Sequence, residues 1–280
     1  MKTLYVSDLD GTLMRSSIEL SSYTIAKINE LISRGLSFTY ATARSINSAR
    51  EIAGDLKIEL PVVTRNGAVL ADNSTGKYIE RKIFTSEQVD RLKLMSSVIG
   101  RYGFVSCFVG DNMYKQCLEG EHSSEFQGYI DYYTGRNDKN LRLVSDQEEL
   151  FIGDPGYLTL IASKEVLEPY YNEVVKYSDW EIVFSRDSYR DEYWLEVAPK
   201  NSTKAKSLQI LKEQLGFDRL VVFGDSVNDK SMFEIADEAY AVSNAIDDLK
   251  AMATSVIGTN DEDAVARFLE EVYGREDIDG

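Results

Sequence analysis

The two ends of the chain share one rhythm, in which short apolar runs alternate with amphipathic stretches. Residues 3–7 are apolar and rich in β-formers, and they stop at Asp8-Leu9-Asp10-Gly11-Thr12. Residues 24–34 carry Ile25, Ile28, Leu31 and Ile32 at helical spacing, with Ser21 and Ser22 ahead and Gly35 behind, the start and stop signals of a helix. A strand over 36–41, a helix over 45–56 and a short strand over 61–63 follow. The runs 67–71 and 77–80 then flank Asn73-Ser74-Thr75-Gly76 as a hairpin. The far end repeats the pattern, with helices at 203–215, 230–236, 245–251 and 261–273 and strands at 220–224, 240–242 and 255–257. Short apolar strands alternating with helices predict a parallel sheet covered on both faces.

The middle of the chain has another rhythm. Helices are expected at 87–99 and 164–177. Strands are expected at 104–109, 112–117, 157–162, 181–185 and 193–197. Both tryptophans, both cysteines, the one histidine and eleven of the 17 tyrosines fall here. The reading is an α+β insertion within an α/β chain.

Hydrophobic residues make up 43% of the 280 residues and charged ones 28%, the balance of a globular protein with a sizeable core. The net charge of −16 repels nucleic acid and anionic membrane, so neither is an expected partner. A phosphate ligand fits such a surface only if its cleft carries local positive charge. Cys107 and Cys117, ten residues apart with only His122 nearby, read as ordinary thiols and not as a disulfide or zinc site. The apolar runs are too short to span a bilayer, and the start of the chain does not read as a secretory signal. A cytoplasmic protein is expected.

Four segments carry chemistry. Asp8 and Asp10 stand two apart at the C-terminal end of the first strand, where alternation would send both to one side and where open α/β sheets bind ligands. Like charges so close need a proton or a cation; the alternative is an aspartate-rich turn hinged on Gly11. Gly224-Asp225-Ser226-Val227-Asn228-Asp229 adds two carboxylates at another strand end, suited to sharing a hard cation such as magnesium or to a solvated turn. Thr42, in Ala41-Thr42-Ala43-Arg44, offers a hydroxyl for a phosphate oxygen or for a helix cap. Lys204 opens a helix, where the dipole does not favour a cation. Phosphate, or pairing with Asp229, would explain it.

Taken together and in this order, these segments resemble the haloacid dehalogenase superfamily, and within it the Cof-type sugar-phosphatase branch. D-x-D-G-T near the start, T-x-R after the second strand, Asn66-Gly67-Ala68, the helix-start lysine and G-D-x-x-N-D near the end form the matching set. The resemblance implies a Rossmann-like parallel-sheet core over 1–82 and 198–280 and an inserted α+β cap over 83–197. It implies a phosphatase acting on a small phosphorylated metabolite, a sugar phosphate by this branch. Asp8 would be the nucleophile and Asp10 the general acid and base. Magnesium would be held by Asp8, the Asp10 carbonyl and Asp225. Thr42, Lys204, Asn228 and Leu9 would bind phosphate, supported by Asp229, Arg44, Asn66 and Gly67. Between two late cap strands, Arg186, Asp187 and Tyr189 are candidates to reach into the substrate cleft, the alternative being a surface hairpin. Asp10 can work as an acid near neutrality only if its environment favours the protonated form. Two departures stand out: Lys204-Ala205 where the family has Lys-Gly, and Val242-Ser243-Asn244-Ala245 where it has Met-Gly-Asn-Ala. Lys206 is a near neighbour of the motif lysine, but the phase of the helix start favours Lys204. His122 is given no catalytic part. A phosphomutase and a non-catalytic metabolite sensor are the rival readings; a dinucleotide-binding fold lacks its glycine fingerprint. A monomer or weak homo-oligomer is expected.

Overall fold

The computed structural model describes residues 1–120, 122–187 and 190–276, without the side chains of 274–276. From the N-terminus the elements are β1 (Thr3–Ser7), α1 (Ser22–Ser33), β2 (Phe38–Tyr40), α2 (Ile46–Ala53), β3 (Pro61–Thr64), β4 (Val69–Asp72) and β5 (Tyr78–Arg81). Then come α3 (Ser86–Ile99), β6 (Phe104–Val109), β7 (Asn112–Leu118), α4 (Ser124–Gly135), β8 (Leu141–Val144), β9 (Asp154–Ala162), α5 (Lys164–Val174), β10 (Trp180–Arg186) and β11 (Tyr193–Pro199). The chain closes with α6 (Lys204–Leu215), β12 (Arg219–Gly224), α7 (Lys230–Ile235), β13 (Glu238–Val242), α8 (Asp247–Met252), β14 (Ser255–Ile257) and α9 (Ala264–Glu276). The chain divides into two compact units, Met1–Glu80 with Thr203–Gly280, and Arg81–Ser202.

The first unit is built on a five-stranded sheet in the order β14-β13-β12-β1-β2, parallel throughout. β1 is an interior strand, between β12 and β2. Leu4 and Val6 are wholly buried, as are Leu220, Val222 and Phe223 of β12, which is why these strands read as continuous apolar runs and not as alternations. Ser7 pairs with Phe223 on one side and Tyr40 on the other, so β12, β1 and β2 end level and their following residues emerge together. β3 joins β2 through the parallel bridge Ala41–Val63 and forms a smaller sheet with β4 and β5.

The second unit holds a six-stranded mixed sheet in the order β10-β11-β9-β6-β7-β8, antiparallel except for the parallel β7–β8 pair. Alternation along its strands sorts two cores. Val105, Cys107, Leu158, Leu160, Leu195 and Val197 pack with Leu92 of α3 and Leu167 and Tyr170 of α5. Phe104, Cys117 and Ile161 face the other way and pack with Phe126 and Ile130 of α4. The two cysteines therefore belong to opposite faces and remain free thiols. Burial pushes each thiol up to about 12. No helix among the described residues is long and apolar enough to cross a membrane.

Candidate active site

The site grows from the level ends of β1, β12 and β2. The Asp8 amide donates to the Phe223 carbonyl at 2.9 Å, the last rung of the parallel ladder. Beyond Asp8 the chain turns back: Asp10 stays extended, but Gly11 has φ +72°. A Cβ on Gly11 would sit 2.4 Å from Asp225 Oδ2, so conformation and close approach both require glycine there. The turn is held from outside as well. Asn244 Nδ2 donates to the Gly11 carbonyl at 2.7 Å, Asn260 Nδ2 donates to the Met14 carbonyl at 2.8 Å, and the Asn260 amide donates to Asn244 Oδ1.

The two N-terminal aspartates take different partners, although the charge of Asp10 still acts on Asp8. The chain is extended at Asp8 and Asp10 but leaves that conformation at Leu9 and Gly11, so regular strand alternation ends at Asp8. Asp8, 3% exposed, turns to Lys204, whose Nζ donates to Asp8 Oδ1 at 2.7 Å. Asp10 accepts a two-pronged contact from Arg44, from Nε at 2.8 Å and from Nη2 at 2.6 Å.

Lys204 opens α6 with its side chain wholly buried, while Lys206 is exposed, as the helix phase requires. Its ammonium also donates to Asp229 Oδ1 at 2.7 Å. Asp229 Oδ2 in turn accepts from the amides of Asp225 and Ser226, at 2.9 and 3.0 Å. Both Asp229 oxygens are thus engaged by protein donors. Asp225 Oδ1 accepts from Thr12 Oγ1 at 2.8 Å.

Asp8, Asp225 and Asp229 each place a carboxylate oxygen within 4.8 Å of the others, and all three are buried. One lysine against three carboxylates leaves two negative charges to be balanced. The cost falls on the proton affinities of the cluster. Burial pushes Asp8 up to about 7; Lys204 opposes this, but it is shared with Asp229, whose charge and that of Asp10 push the same way as burial. Burial, then the charges of Asp229 and Asp8, raise Asp225 well above the carboxylate range. Burial alone would lower Lys204, yet Asp229 and Asp8 outweigh it and raise the ammonium above its ordinary value. An oxygen-rich, buried cluster with this charge deficit fits a divalent cation. Asp8 and Asp225 are the better ligands, since Asp229 is already committed.

Thr42, wholly buried, follows β2, and its Oγ1 accepts from the Arg44 amide at 3.1 Å. The turn after β3 stands beside it. Arg65, Asn66 and Gly67 all have positive φ, at 51°, 51° and 100°. Asn66 Oδ1 accepts from Asn228 Nδ2 at 3.0 Å, and the Gly67 carbonyl accepts from Ser207 Oγ at 2.8 Å. A Cβ on Gly67 would lie 2.2 Å from the Thr203 carbonyl oxygen, so a side chain there would push α6 and its lysine away. Leu9 is wholly buried, which leaves only its backbone for a ligand.

Arg186 and Asp187 have local partners in the β10–β11 hairpin. Arg186 Nη2 donates to Asp191 at 2.9 Å, and Asp187 Oδ1 accepts from the Arg190 amide at 2.9 Å. Tyr189 lies outside the described residues. His122 Nε2 sits 2.7 Å from the Leu118 carbonyl, within the second unit. Sequence reasoning gave no role to Thr12, Asn244, Asn260 or Ser207. The first two lie in motifs already singled out; Asn260 and Ser207 carry no pattern, and only the fold brings them to the turns they hold.

Residues 5–269 match the family model described as haloacid dehalogenase-like hydrolase. The chain belongs to the haloacid dehalogenase-like hydrolases. Among curated proteins it is 29% identical over 277 residues to the 5-amino-6-(5-phospho-D-ribitylamino)uracil phosphatase YitU of Bacillus subtilis, covering 96% of this chain and 97% of that protein. Among solved structures it resembles a haloacid dehalogenase-like hydrolase from Bacteroides thetaiotaomicron, with a TM-score of 0.77, 24% identity, and 97% and 100% of the two chains covered. One from B. subtilis superposes with a TM-score of 0.77 at 23% identity, covering 96% and 99%. The family and the fold make the chain a phosphatase-type hydrolase, and its aspartate cluster is suited to holding a divalent cation.

Proposed function

We propose that this hydrolase cleaves the phosphate monoester of a small sugar- or polyol-type metabolite, with magnesium, through a phospho-aspartyl intermediate on Asp8. The observation that carries the reading is the arrangement of Asp8: a buried carboxylate at the end of the central strand, steadied by Lys204 and adjoining Asp225. The B. subtilis relative is a 5-amino-6-(5-phospho-D-ribitylamino)uracil phosphatase, which supports a polyol-like leaving group.

An Asp8 oxygen attacks phosphorus, and the bond from phosphorus to the leaving oxygen breaks. Asp10 gives that oxygen its proton, so that a neutral alcohol departs. Asp10 then takes a proton from the water that hydrolyses the acyl phosphate, which frees Asp8 and inorganic phosphate. Lys204 neutralises charge at Asp8 throughout, and Asp229 keeps it in place. Thr42 Oγ1 accepts from the Arg44 amide, which leaves its own hydroxyl proton for a phosphate oxygen, and Asn228, set by Asn66, offers a second donor. Magnesium, held by Asp8 and Asp225 with the Asp10 carbonyl, would supply charge neutralisation for the phosphoryl group. The Arg81–Ser202 unit is proposed as the cap that recognises the rest of the metabolite.

Phosphate release from a panel of sugar, polyol and nucleotide monophosphates, with magnesium and with excess EDTA, tests this reading. Magnesium-dependent release led by polyol or sugar phosphates is expected. An isomerised product without free phosphate would point to a mutase, and binding without turnover to a sensor. The metal also leaves a thermal signature. Asp8 titrates about 7 in the fold against an ordinary 3.8, so between these values the metal-free fold binds more protons than the unfolded chain. Its stability falls as pH rises through that window. A cation binds the ionised carboxylates, so magnesium should raise Tm more at pH 8 than at pH 5.5. Equal shifts at both pH values would contradict the assignment of the metal to this cluster.

A further inference from the structure

We propose that Arg44 is the positioning residue for Asp10: its guanidinium fork fixes the Asp10 carboxylate at the angle from which it exchanges protons with the leaving group and with water. The inference rests on the reading of Asp10 as the acid and base.

Asp10 needs such a partner. It sits on a turn between Asp8 and a left-handed Gly11, and its side chain is 25% exposed. A carboxylate on a turn has two free torsions, and a single contact fixes only one direction. The Arg44 contact is bidentate, with Nε on Oδ2 and Nη2 on Oδ1, so it sets both the position and the plane of the carboxylate. Arg44 is itself braced. Its Nη1 donates to Ser48 Oγ at 3.1 Å in the first turn of α2. Its amide donates to Thr42 Oγ1, and its carbonyl accepts from the Arg65 amide at 3.0 Å. The short turn from Thr42 to Arg44 thus serves both halves of the site: Thr42 presents a hydroxyl, and two residues later Arg44 reaches Asp10. Three guanidinium nitrogens are thus engaged within the protein, Nε and Nη2 by the Asp10 carboxylate and Nη1 by Ser48.

Lysine cannot reproduce the fork, because an ammonium is a point donor without a plane. Displacing a proton-transfer group by about 1 Å costs about 100-fold in rate. Arg44→Met and Arg44→Lys should each lower kcat about 100-fold, while KM for ribitol 5-phosphate stays within about twofold. If Arg44 acts through Asp10, the double variant Arg44→Met/Asp10→Asn should be no slower than Asp10→Asn alone. The experiment measures kcat and KM with ribitol 5-phosphate and p-nitrophenyl phosphate in magnesium buffer, with Tm recorded for each variant. A raised KM with kcat intact would make Arg44 a substrate-binding group and overturn the inference. Losses that multiply in the double variant would overturn it too, as would full activity in Arg44→Lys. Wild-type protein that releases no phosphate from either probe would overturn the phosphatase reading and this inference with it.

Discussion

Asp8→Asn is expected to abolish phosphate release, lowering kcat by at least about 10⁴-fold, while Tm in EDTA at pH 8 does not fall. The two outcomes come from the same environment. The amide is nearly the shape of the carboxylate but offers no anionic oxygen to phosphorus, so no acyl phosphate forms. The stability arm is opposite in sign to the usual loss on mutating a buried group. Burial pushes Asp8 up to about 7, which means that its ionised form is disfavoured in the fold relative to the unfolded chain, where 3.8 is the ordinary value. Above pH 7 that penalty is fully present, and the neutral amide removes it. Near pH 4 and below, wild type carries a proton at Asp8 in both states and the advantage disappears. Lys204 keeps Asp229 as its partner, so no cation is orphaned. Phosphate release and a Tm series from pH 4 to pH 9 check both arms. A variant that loses activity and also unfolds early at pH 8 would mean that the Asp8–Lys204 contact holds the fold together, against the charge balance argued above.

Much of this site was legible in the sequence because its residues stand at strand and helix ends, where apolar runs stop and polar chemistry begins. Asp8 after 3–7, Thr42 after 36–41 and Asp225 after 220–224 are placed side by side by a parallel sheet whose register brings Ser7 level with Phe223 and Tyr40. The lysine was legible for a different reason: the helix dipole disfavours it at its position, and the buried pair with Asp8 and Asp229 supplies the compensation. What the pattern could not show is how the chain departs from regular geometry. Strand alternation could not show which partner each aspartate takes: Lys204 for Asp8 and Arg44 for Asp10. Asp229 joins Asp8 and Asp225 in the carboxylate cluster, yet its oxygens are spent on Lys204 and two amides, a matter of local loop geometry. In the second unit α4 and β8 escaped the reading altogether. α4 is Ser-Glu-Phe-Gln-Gly-Tyr-Ile-Asp-Tyr-Tyr-Thr-Gly, in which glycine and clustered aromatics are poor helix formers. It is held by packing Phe126 and Ile130 onto Phe104 and Ile161, contacts that no local window contains.

Lys204→Met should cost more stability than any other single change in the cluster, about 3–5 kcal/mol in EDTA at pH 8, and should remove activity as well. Methionine fills a similar volume, so packing is not the cause. The loss follows from leaving Asp8 and Asp229 buried without their cation, the situation in which breaking a buried ion pair is most damaging. The ammonium keeps its proton throughout the neutral range, since Asp229 and Asp8 raise it above the ordinary lysine value, so its own titration adds no pH dependence between pH 5.5 and pH 8. The deficit of the variant nevertheless depends on pH through its partner. Without Lys204 to oppose burial, Asp8 of the variant takes up a proton more readily than in wild type; as pH falls one of the two stranded charges disappears, so the Tm difference between variant and wild type should narrow from pH 8 to pH 5.5. The double variant Asp8→Asn/Lys204→Met removes that charge permanently and should recover part of the stability at pH 8, but none of the activity. Denaturant unfolding of the single and double variants at the two pH values separates this account from a packing defect. A packing defect would be independent of pH and would not be rescued at Asp8. The pattern expected here requires that one buried lysine balances two carboxylates, one of which is the proposed nucleophile.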